Sequence, residues 1–229
     1  MKRSVFAVAA VAAALFLASG VAVATDLVCT TTSSGGTWHN VVVPAGASCT
    51  LENTRVTGNV TVQTGGTLVV TNTAGDSTIA GDVKADGCNF VELESTSLTN
   101  RIVVGGNVTI QNCSSGFNGG QGDSTRFPPG SILIGGNVKC SNNTDGCVFD
   151  YFIISGNLDC SGNGGGCTLQ SDAVGKNATI NNNAFGFGDT EVRNSSIGGD
   201  VKCSGNNGGV TSSPTNTVAG TKSGQCSGI

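Results

Sequence analysis

Apolar and polar residues alternate in short runs along the chain, and these runs recur at regular intervals. The phrase IGGNVKCSNN at residues 134–143 is followed by ISGNLDCSGN at 154–163 and by IGGDVKCSGN at 197–206. Within each phrase the apolar residues stand two positions apart, which is the period of a β-strand that buries one face. No segment after residue 24 has a sustained 3.6-residue period, so the pattern predicts short strands rather than helices.

The phrase occurs seven times when the residue before its Asn or Asp is taken as an anchor. The intervals between successive anchors are 23, 25, 30, 20, 20 and 23 residues. The residue two before the anchor is always Val or Ile, and the residue after it is always Asn or Asp. The residue two after the anchor is Val, Leu or Ala, and the residue four after it is Val, Ala, Ile or Cys. The anchors are Gly58, Gly81, Gly106, Gly136, Gly156, Lys176 and Gly199.

Short strands at this spacing predict a solenoid, because a single coil cannot bury its apolar face until a neighbour stacks on it. Residues 67–71 and 147–152 are candidates for a second strand in each coil. The predicted fold class is all-β, a right-handed parallel β-helix of about 7–8 coils of 20–25 residues. A β-sandwich is the competing architecture, although it gives no reason for Gly-Asn to recur in every strand.

In a β-helix, the recurring Asn side chains can hydrogen-bond from one coil to the next. The position seven residues after the anchor repeats the arrangement with Asn143, Asn163, Asn183 and Asn206. Another explanation is that Asn tolerates a turn with positive φ, and both explanations can hold.

The first 24 residues have the pattern of a secretory signal peptide. Lys2 and Arg3 precede an apolar stretch at residues 5–17, and Ala22 and Ala24 form an A-x-A cleavage site. The alternative is an uncleaved membrane anchor, for which the apolar stretch is short. We expect a protein that is secreted and either extracellular or associated with the cell surface.

Residues 25–229 are expected to form a single disulfide-bonded domain with no membrane span. Residues 25–55 would be its N-terminal cap and residues 204–229 its C-terminal cap. Solenoid ends need such caps because an uncovered terminal coil exposes both the core and a strand edge.

Composition narrows the function classes. All ten cysteines follow residue 24, and an even number in an exported chain predicts disulfides. His39 is the single histidine and no C-x-x-C pair exists, so neither a zinc site nor another cofactor is expected. Removal of Lys2 and Arg3 from the 11 basic residues leaves nine against 15 acidic ones, a net charge of −6. With no basic run and one Trp and one Tyr, the chain is a poor candidate for binding nucleic acid or anionic membranes.

The register of the repeat predicts cysteine pairs. Cys88 and Cys113 both lie seven residues after their anchors, so a bond between them would join adjacent coils. Two consecutive coils share a C-x6-C spacing, which allows bonds within coils (Cys140–Cys147 and Cys160–Cys167) or between them (Cys140–Cys160 and Cys147–Cys167). Bonds within coils are favoured because both halves of each motif then belong to one unit. The remaining pairs would secure the two ends: Cys29–Cys49 and Cys203–Cys226.

Three stretches carry a resemblance to a known group of proteins. They are VVVPAGASCTLENTRVTGNVTV at residues 41–62, the recurring GGNV phrases, and NTVAGTKSGQCSGI at residues 216–229. With these stretches the chain resembles small secreted actinobacterial β-helix-repeat proteins of unestablished function. The resemblance covers nearly all of the chain after residue 24, and it implies fold and export but no functional residue.

Candidate chemistry is sparse. Lys139 and Asp159 occupy the same outward position in consecutive coils, as an active pair or as an exposed ion pair. Asp123 and Arg126 lie in the longest interval between anchors and could act together with Asp145 and Asp150. Neither group is dense enough to assign a catalytic residue. Asp82 and Asp200 replace Asn directly after their anchors, and this position fits a structural turn better than a metal site.

The sequence therefore predicts a secreted non-catalytic structural or adhesive protein. Its expected partners are cell-wall or extracellular polysaccharide, or a host surface. The alternative is a carbohydrate-active enzyme or a carbohydrate-binding module on the same fold, for which paired carboxylates would be needed. A third class is self-assembly through exposed end coils.

Overall fold

The computed structural model describes residues 24–96, 99–120, 132–185 and 189–229. Every regular element in these ranges is a β-strand, and the strands form three parallel sheets, here named A, B and C. In each coil the chain passes through one strand of each sheet and then begins the next coil beside the previous one. The three sheets are the sides of a β-solenoid that encloses a continuous core.

The strands are numbered in chain order. Sheet A contains ten strands: β1 (Leu27–Val28), β4 (Val41–Val43), β7 (Val60–Val62), β10 (Val83–Asp86), β13 (Val108–Gln111), β16 (Val138–Ser141), β19 (Leu158–Ser161), β22 (Ala178–Asn181), β25 (Val201–Ser204) and β28 (Lys222–Gly224). Sheet B contains nine: β2 (Thr32–Ser34), β5 (Ser48–Glu52), β8 (Thr67–Thr71), β11 (Phe90–Glu94), β14 (Phe117–Gly120), β17 (Cys147–Asp150), β20 (Cys167–Gln170), β23 (Glu191–Arg193) and β26 (Thr211–Ser212). Sheet C contains nine: β3 (Thr37–Trp38), β6 (Arg55–Val56), β9 (Ser77–Ile79), β12 (Ile102–Val104), β15 (Ile132–Ile134), β18 (Phe152–Ile154), β21 (Ala173–Val174), β24 (Ser196–Ile197) and β27 (Thr217–Val218).

This architecture confirms the predicted parallel β-helix and excludes the β-sandwich. Each strand of sheet A pairs in parallel with the strand one coil away, as β13 does with β16 and β16 with β19. The seven repeated phrases precede seven consecutive strands of sheet A, from β7 to β25, and so mark about seven coils. Further strands continue the sheets beyond the repeat at both ends.

The second strand of each coil was predicted correctly in one place and only partly in another. Strand β8 has the predicted bounds Thr67–Thr71. The prediction of one strand over residues 147–152 is wrong, because this stretch divides into β17 and β18. The division falls at Tyr151, whose φ of 62° turns the chain from sheet B to sheet C.

The core is built by the alternation that the sequence shows. Strand residues such as Val138 and Cys140 are buried, while Lys139 between them is exposed. Inward-facing residues stack on their counterparts one coil away, which gives long rows of apolar contacts. Within the core, three phenyl rings pack at centroid distances of 5.2, 5.5 and 6.0 Å: Phe117, Phe149 and Phe152.

A ladder of Asn and Asp side chains runs along the corner between sheets C and A. In this outer ladder, Oδ1 of each residue accepts the backbone N–H of its counterpart in the following coil. Asn107 Oδ1, for example, accepts the N–H of Asn137 at 2.9 Å and its Nδ2–H at 3.1 Å. The predicted hydrogen bonding between coils is therefore present along the repeat, and it supplies corner N–H groups with partners. Asp26 and Asn40 begin the ladder. Within the repeat it comprises Asn59, Asp82, Asn107, Asn137, Asn157, Asn177 and Asp200.

A second, inner ladder is buried at the corner between sheets A and B. Its residues are Asn143, Asn163, Asn183 and Asn206. Each Nδ2 of the first three donates to Oδ1 of the next residue at 3.0 Å. Backbone N–H groups here donate toward the later coil, the opposite direction to the outer ladder.

The residues of the two ladders do not have positive φ. The position with positive φ is the one directly before the inner-ladder position. At this position, φ lies between 55° and 70° in six coils. Only Gly and Asn occur there, which are the residues that adopt this conformation most readily. They are Gly87, Asn112, Asn142, Gly162, Asn182 and Gly205.

Glycine is favoured at the anchor because the outer ladder passes very close to its Cα. A Cβ on Gly136 would lie 2.6 Å from Asn107 Oδ1 and 2.7 Å from the carbonyl oxygen of Gly106. Other anchor glycines meet the ladder amide or carboxylate of the preceding coil in the same way. Lys176 is the one anchor that has a side chain, and the ladder continues past it.

Five disulfides cross-link the solenoid, and no described cysteine is free. The four-cysteine group has its bonds within coils, with Cα–Cα distances of 6.4 and 6.3 Å. One bond joins two adjacent coils in the body of the solenoid, and one lies near each end. Bonds of this kind stabilise a fold mainly by restricting the unfolded chain. The pairs are Cys29–Cys49, Cys88–Cys113, Cys140–Cys147, Cys160–Cys167 and Cys203–Cys226.

We predict that Gly136→Ala destabilises the oxidised protein by about 1–3 kcal/mol, because the new methyl group overpacks the corner. Lys176→Ala is the matched control: it changes the same position in another coil but adds no Cβ, and should shift stability by less than about 0.5 kcal/mol. Urea unfolding followed by circular dichroism measures both changes. If both substitutions changed stability equally, the short distance between the ladder oxygen and a Cβ at the anchor would not explain why glycine occurs there.

Candidate functional site

The structure describes one of the two charged pairs singled out in the sequence. Lys139 and Asp159 are register partners on β16 and β19 of sheet A, as predicted. Asp159 accepts a hydrogen bond from Ser161 Oγ, and in the part of the chain that the structure describes no ion pair joins it to Lys139. Asp123 and Arg126 lie outside the described residues. The exposed ion pair expected at Lys139 and Asp159 is therefore not formed.

Lys139 instead contributes to the environment of Asp86. The pKa of Asp86 is lowered first by hydrogen bonds from the Asn112 and Gln111 side chains, and then by the charges of Lys84 and Lys139. This cluster lies on the exposed face of sheet A, where solvent weakens each charge interaction.

Carboxylates do converge on sheet B, around a hollow of about 130 Å³. It spans the adjacent strands β11, β14 and β17. Outward residues of β11 and β17 form its sides, and the two glycines of β14 form its floor. The lining residues are Glu92, Glu94, Asn118, Gly119, Gly120, Val148 and Asp150.

The glycine floor follows from packing on both sides of β14. A Cβ on Gly119 would lie 2.7 Å from the ring of Phe117, inside the phenyl cluster of the core. A Cβ on Gly120 would lie 2.6 Å from Cβ of Asp150. Since Gly120 pairs with Glu94, the missing side chain opens the space between the carboxylates of β11 and β17.

Two acidic groups of the hollow have a higher pKa than they would have in water, so they stay protonated to a higher pH. Burial raises the pKa of Asp150 to about 6. Burial, and then the charge of Glu94, raise the pKa of Glu92, which accepts a hydrogen bond of 3.1 Å from Asn118 Nδ2. Asp150 Oδ1 is buried and has no hydrogen-bond partner among the described residues. The site therefore presents hydrogen-bonding oxygens with unused capacity.

A further carboxyl group, Asp172, lies at the corner between sheets B and C in the coil after Asp150. It is 3% exposed, its Oδ1 accepts the N–H of Phe152 at 2.8 Å, and its Oδ2 has no partner among the described residues. Burial raises the pKa of Asp172 well above its usual range, and the charge of Asp150 raises it further. Burial at this corner therefore favours the neutral form of the Asp172 carboxyl group.

Sequence reasoning named Asp150 but missed Glu92 and Glu94. Their signal is the alternation in FVELE at residues 90–94, which places both glutamates on the outward face of one strand. Sheet B lacks a repeated motif, so the register that brings this strand beside Gly120 and Asp150 is not visible in the sequence.

Comparisons with protein-family models, with curated proteins and with solved structures found no match. Among the described residues, no group of three or more His, Cys, Asp or Glu side chains is arranged to hold a metal ion. The same ranges contain no helix long and apolar enough to cross a membrane. Five disulfides indicate folding in an oxidising compartment.

The buried carboxyl groups predict that stability falls as pH rises from about 4, near the unfolded pKa of Asp, through about 6, the folded pKa of Asp150. An Asp in the unfolded chain has a pKa of about 3.9, so a group whose folded pKa is raised stabilises the fold fully below that value. This contribution is lost as pH rises through the folded pKa of Asp150 and Asp172. Carboxylates with lowered pKa values, such as Asp86 and Asp200, act at more acidic pH and leave this window unchanged.

Urea midpoints of the oxidised protein across this range measure the effect. Asp172→Asn keeps the acceptor for the Phe152 N–H and should flatten the pH dependence, whereas the control Asp159→Asn, on the exposed face of sheet A, should keep it. A wild-type midpoint that stays constant or rises with pH would contradict the assignment.

Proposed function

We propose that the protein is a secreted, non-catalytic structural or adhesive component of the extracellular surface, and that the hollow on sheet B binds polysaccharide. The observation that carries the proposal is the set of convergent oxygens around Gly120 on a rigid, cross-linked rod. Export is supported by the signal-peptide pattern, by the disulfides and by the resemblance to small secreted actinobacterial β-helix-repeat proteins.

The chemistry of the hollow favours a neutral or amino-bearing sugar chain. Carboxylate and amide oxygens accept hydrogen bonds from sugar hydroxyl groups, and protonated Asp150 can also donate one. Val148, 36% exposed at the rim, offers an apolar contact for the C–H face of a sugar ring. The acidic lining disfavours an anionic polymer because like charges repel.

The rod itself suits an adhesive role. In-register stacking places outward residues of each sheet about 4.8 Å apart along the axis, so one face presents an extended and regular polar surface. The ladders and disulfides restrict the motion of this surface, so it loses less conformational entropy when a ligand binds.

A second candidate function, glycoside hydrolysis, is suggested by two carboxyl groups that line one hollow. Glu94 and Asp150 flank Gly120 from strands two positions apart. Inverting glycosidases use such a pair of carboxyl groups as acid and base. With its pKa raised to about 6, Asp150 would be the general acid and Glu94 the base that activates water.

A screen of the oxidised protein against glycans and cell-wall preparations tests the binding proposal. We expect binding of the wild type, and at least a tenfold loss of affinity in the double variant Glu94→Gln/Asp150→Asn because its hydroxyl-binding oxygens are altered. Asp159→Asn, which removes one outward-facing, half-buried carboxylate from sheet A, should bind as the wild type does. No binding by the wild type would overturn the adhesive role, and unchanged binding by the double variant would exclude the hollow.

Product analysis on each bound glycan separates the two candidates. A non-catalytic protein leaves the glycan intact after prolonged incubation. Reducing ends that accumulate with the wild type, and that are lost in Asp150→Asn, would instead establish the hydrolase.

A further inference from the structure

The four cysteines of the C-x6-C motifs form a compact group inside the solenoid. Cys140 and Cys160 are register partners on β16 and β19, and Cys147 and Cys167 are register partners on β17 and β20. All four are fully buried. Two disulfides thus lie one above the other, each crossing the core of its own coil.

The same four positions also satisfy the geometry of a second pairing. Register partners in adjacent strands are about 4.8 Å apart, which is inside the Cα range of about 4.4–6.8 Å that disulfides adopt. The chain already contains a bond between adjacent coils, Cys88–Cys113, with a Cα–Cα distance of 4.4 Å. The diagonal pairs are excluded, because a 6.4 Å step across the coil combined with about 4.8 Å along the axis gives about 8 Å.

A buried amide lies beside the sulfurs. Asn143 Nδ2 is 3.3 Å from Sγ of Cys140 and 3.6 Å from Sγ of Cys147. Asn163 Nδ2 is 3.7 Å from Sγ of Cys160. The Asn143 amide would stabilise a thiolate at Cys140 once the bond is opened, because a hydrogen bond to an anion is stronger than one to a neutral acceptor.

We propose that Cys140, Cys147, Cys160 and Cys167 form a thiol–disulfide exchange site, at which a cross-link moves from within one coil to between two coils. An external dithiol reduces Cys140–Cys147 with two electrons and is itself oxidised to a disulfide. The Cys140 thiolate then attacks Sγ of Cys160, forming the Cys140–Cys160 bond and breaking Cys160–Cys167. Cys167 leaves as a thiolate and takes up a proton, so this second step is redox-neutral.

Neighbouring residues confine the exchange to these four sulfurs. In the coil before, Cys140 stacks on Ile110 and Cys147 on Phe117, and in the coil after, Cys160 stacks on Ile180. Elsewhere in the sheets, Cys49 pairs with Leu68, and Cys203 pairs with Ile180 and Gly224, so neither faces the sulfur of another bond. Exchange changes the direction of the cross-link from across the core to along the solenoid axis.

Partial reduction of the wild type tests the proposal directly. The oxidised protein is treated with limiting phosphine reductant at about pH 4, where exchange is frozen, and then brought to about pH 8 before alkylation and peptide mapping. We expect a species with a Cys140–Cys160 bond and alkylated Cys147 and Cys167 to appear only after the shift to pH 8. Cys203–Cys226 is the internal control, since its reduction should leave both of its own thiols alkylated. Alkylation confined to same-bond pairs at both pH values would overturn the proposal.

Two double variants provide an independent measurement. Cys147→Ser/Cys167→Ser leaves the register pair Cys140 and Cys160, which should be bridged with no free thiol after oxidative refolding. Cys147→Ser/Cys160→Ser leaves the diagonal pair, which should remain as two thiols. Free thiols in the first variant, or equal bridging in both, would contradict the geometry.

Discussion

The corner between sheets C and A sets the condition that the rest of the solenoid meets. Backbone N–H groups at this corner are used by a side-chain oxygen from the neighbouring coil, as in the 2.9 Å bond from Asn137 N–H to Asn107 Oδ1. At Gly136 this oxygen lies 2.6 Å from where a Cβ would stand, so a side chain there would press on the ladder. Because this hydrogen bond recurs at the same corner in each coil, every strand of sheet A begins at the same place, and its apolar residues lie in register with those of the next coil. Core packing and cysteine pairing then follow from the corner.

The sequence allowed much of the fold to be predicted because the repeated phrase contains strand, corner and ladder together. Val138 and Cys140 show their inward direction by spacing, and Asn137 shows its ladder role by recurrence. The reason for the glycine was not visible, since it depends on an amide one coil away. The break at Tyr151 was missed because a positive φ at a Tyr has no local signal.

The hollow on sheet B was beyond prediction for a related reason. Strands of sheet B vary in sequence, so Glu94, Gly120 and Asp150 become neighbours only after the coil lengths between them are known. Burial also gives Asp150 and Asp172 properties that residue type does not contain. The phenyl cluster fills the core behind β14 and leaves no room for an inward side chain at Gly119, while the hollow on the outer side is kept open by Gly120.

The two consecutive 20-residue intervals, from Gly136 to Gly156 and from Gly156 to Lys176, have a consequence for how such a chain can vary. Every junction between these coils uses the same hydrogen bonds, the same apolar stacking and the same corner conformations. A duplicated or deleted coil would meet its new neighbours through contacts that already exist. Length is therefore a quantity that evolution or design can change in whole coils, while the two ends of the rod stay as they are.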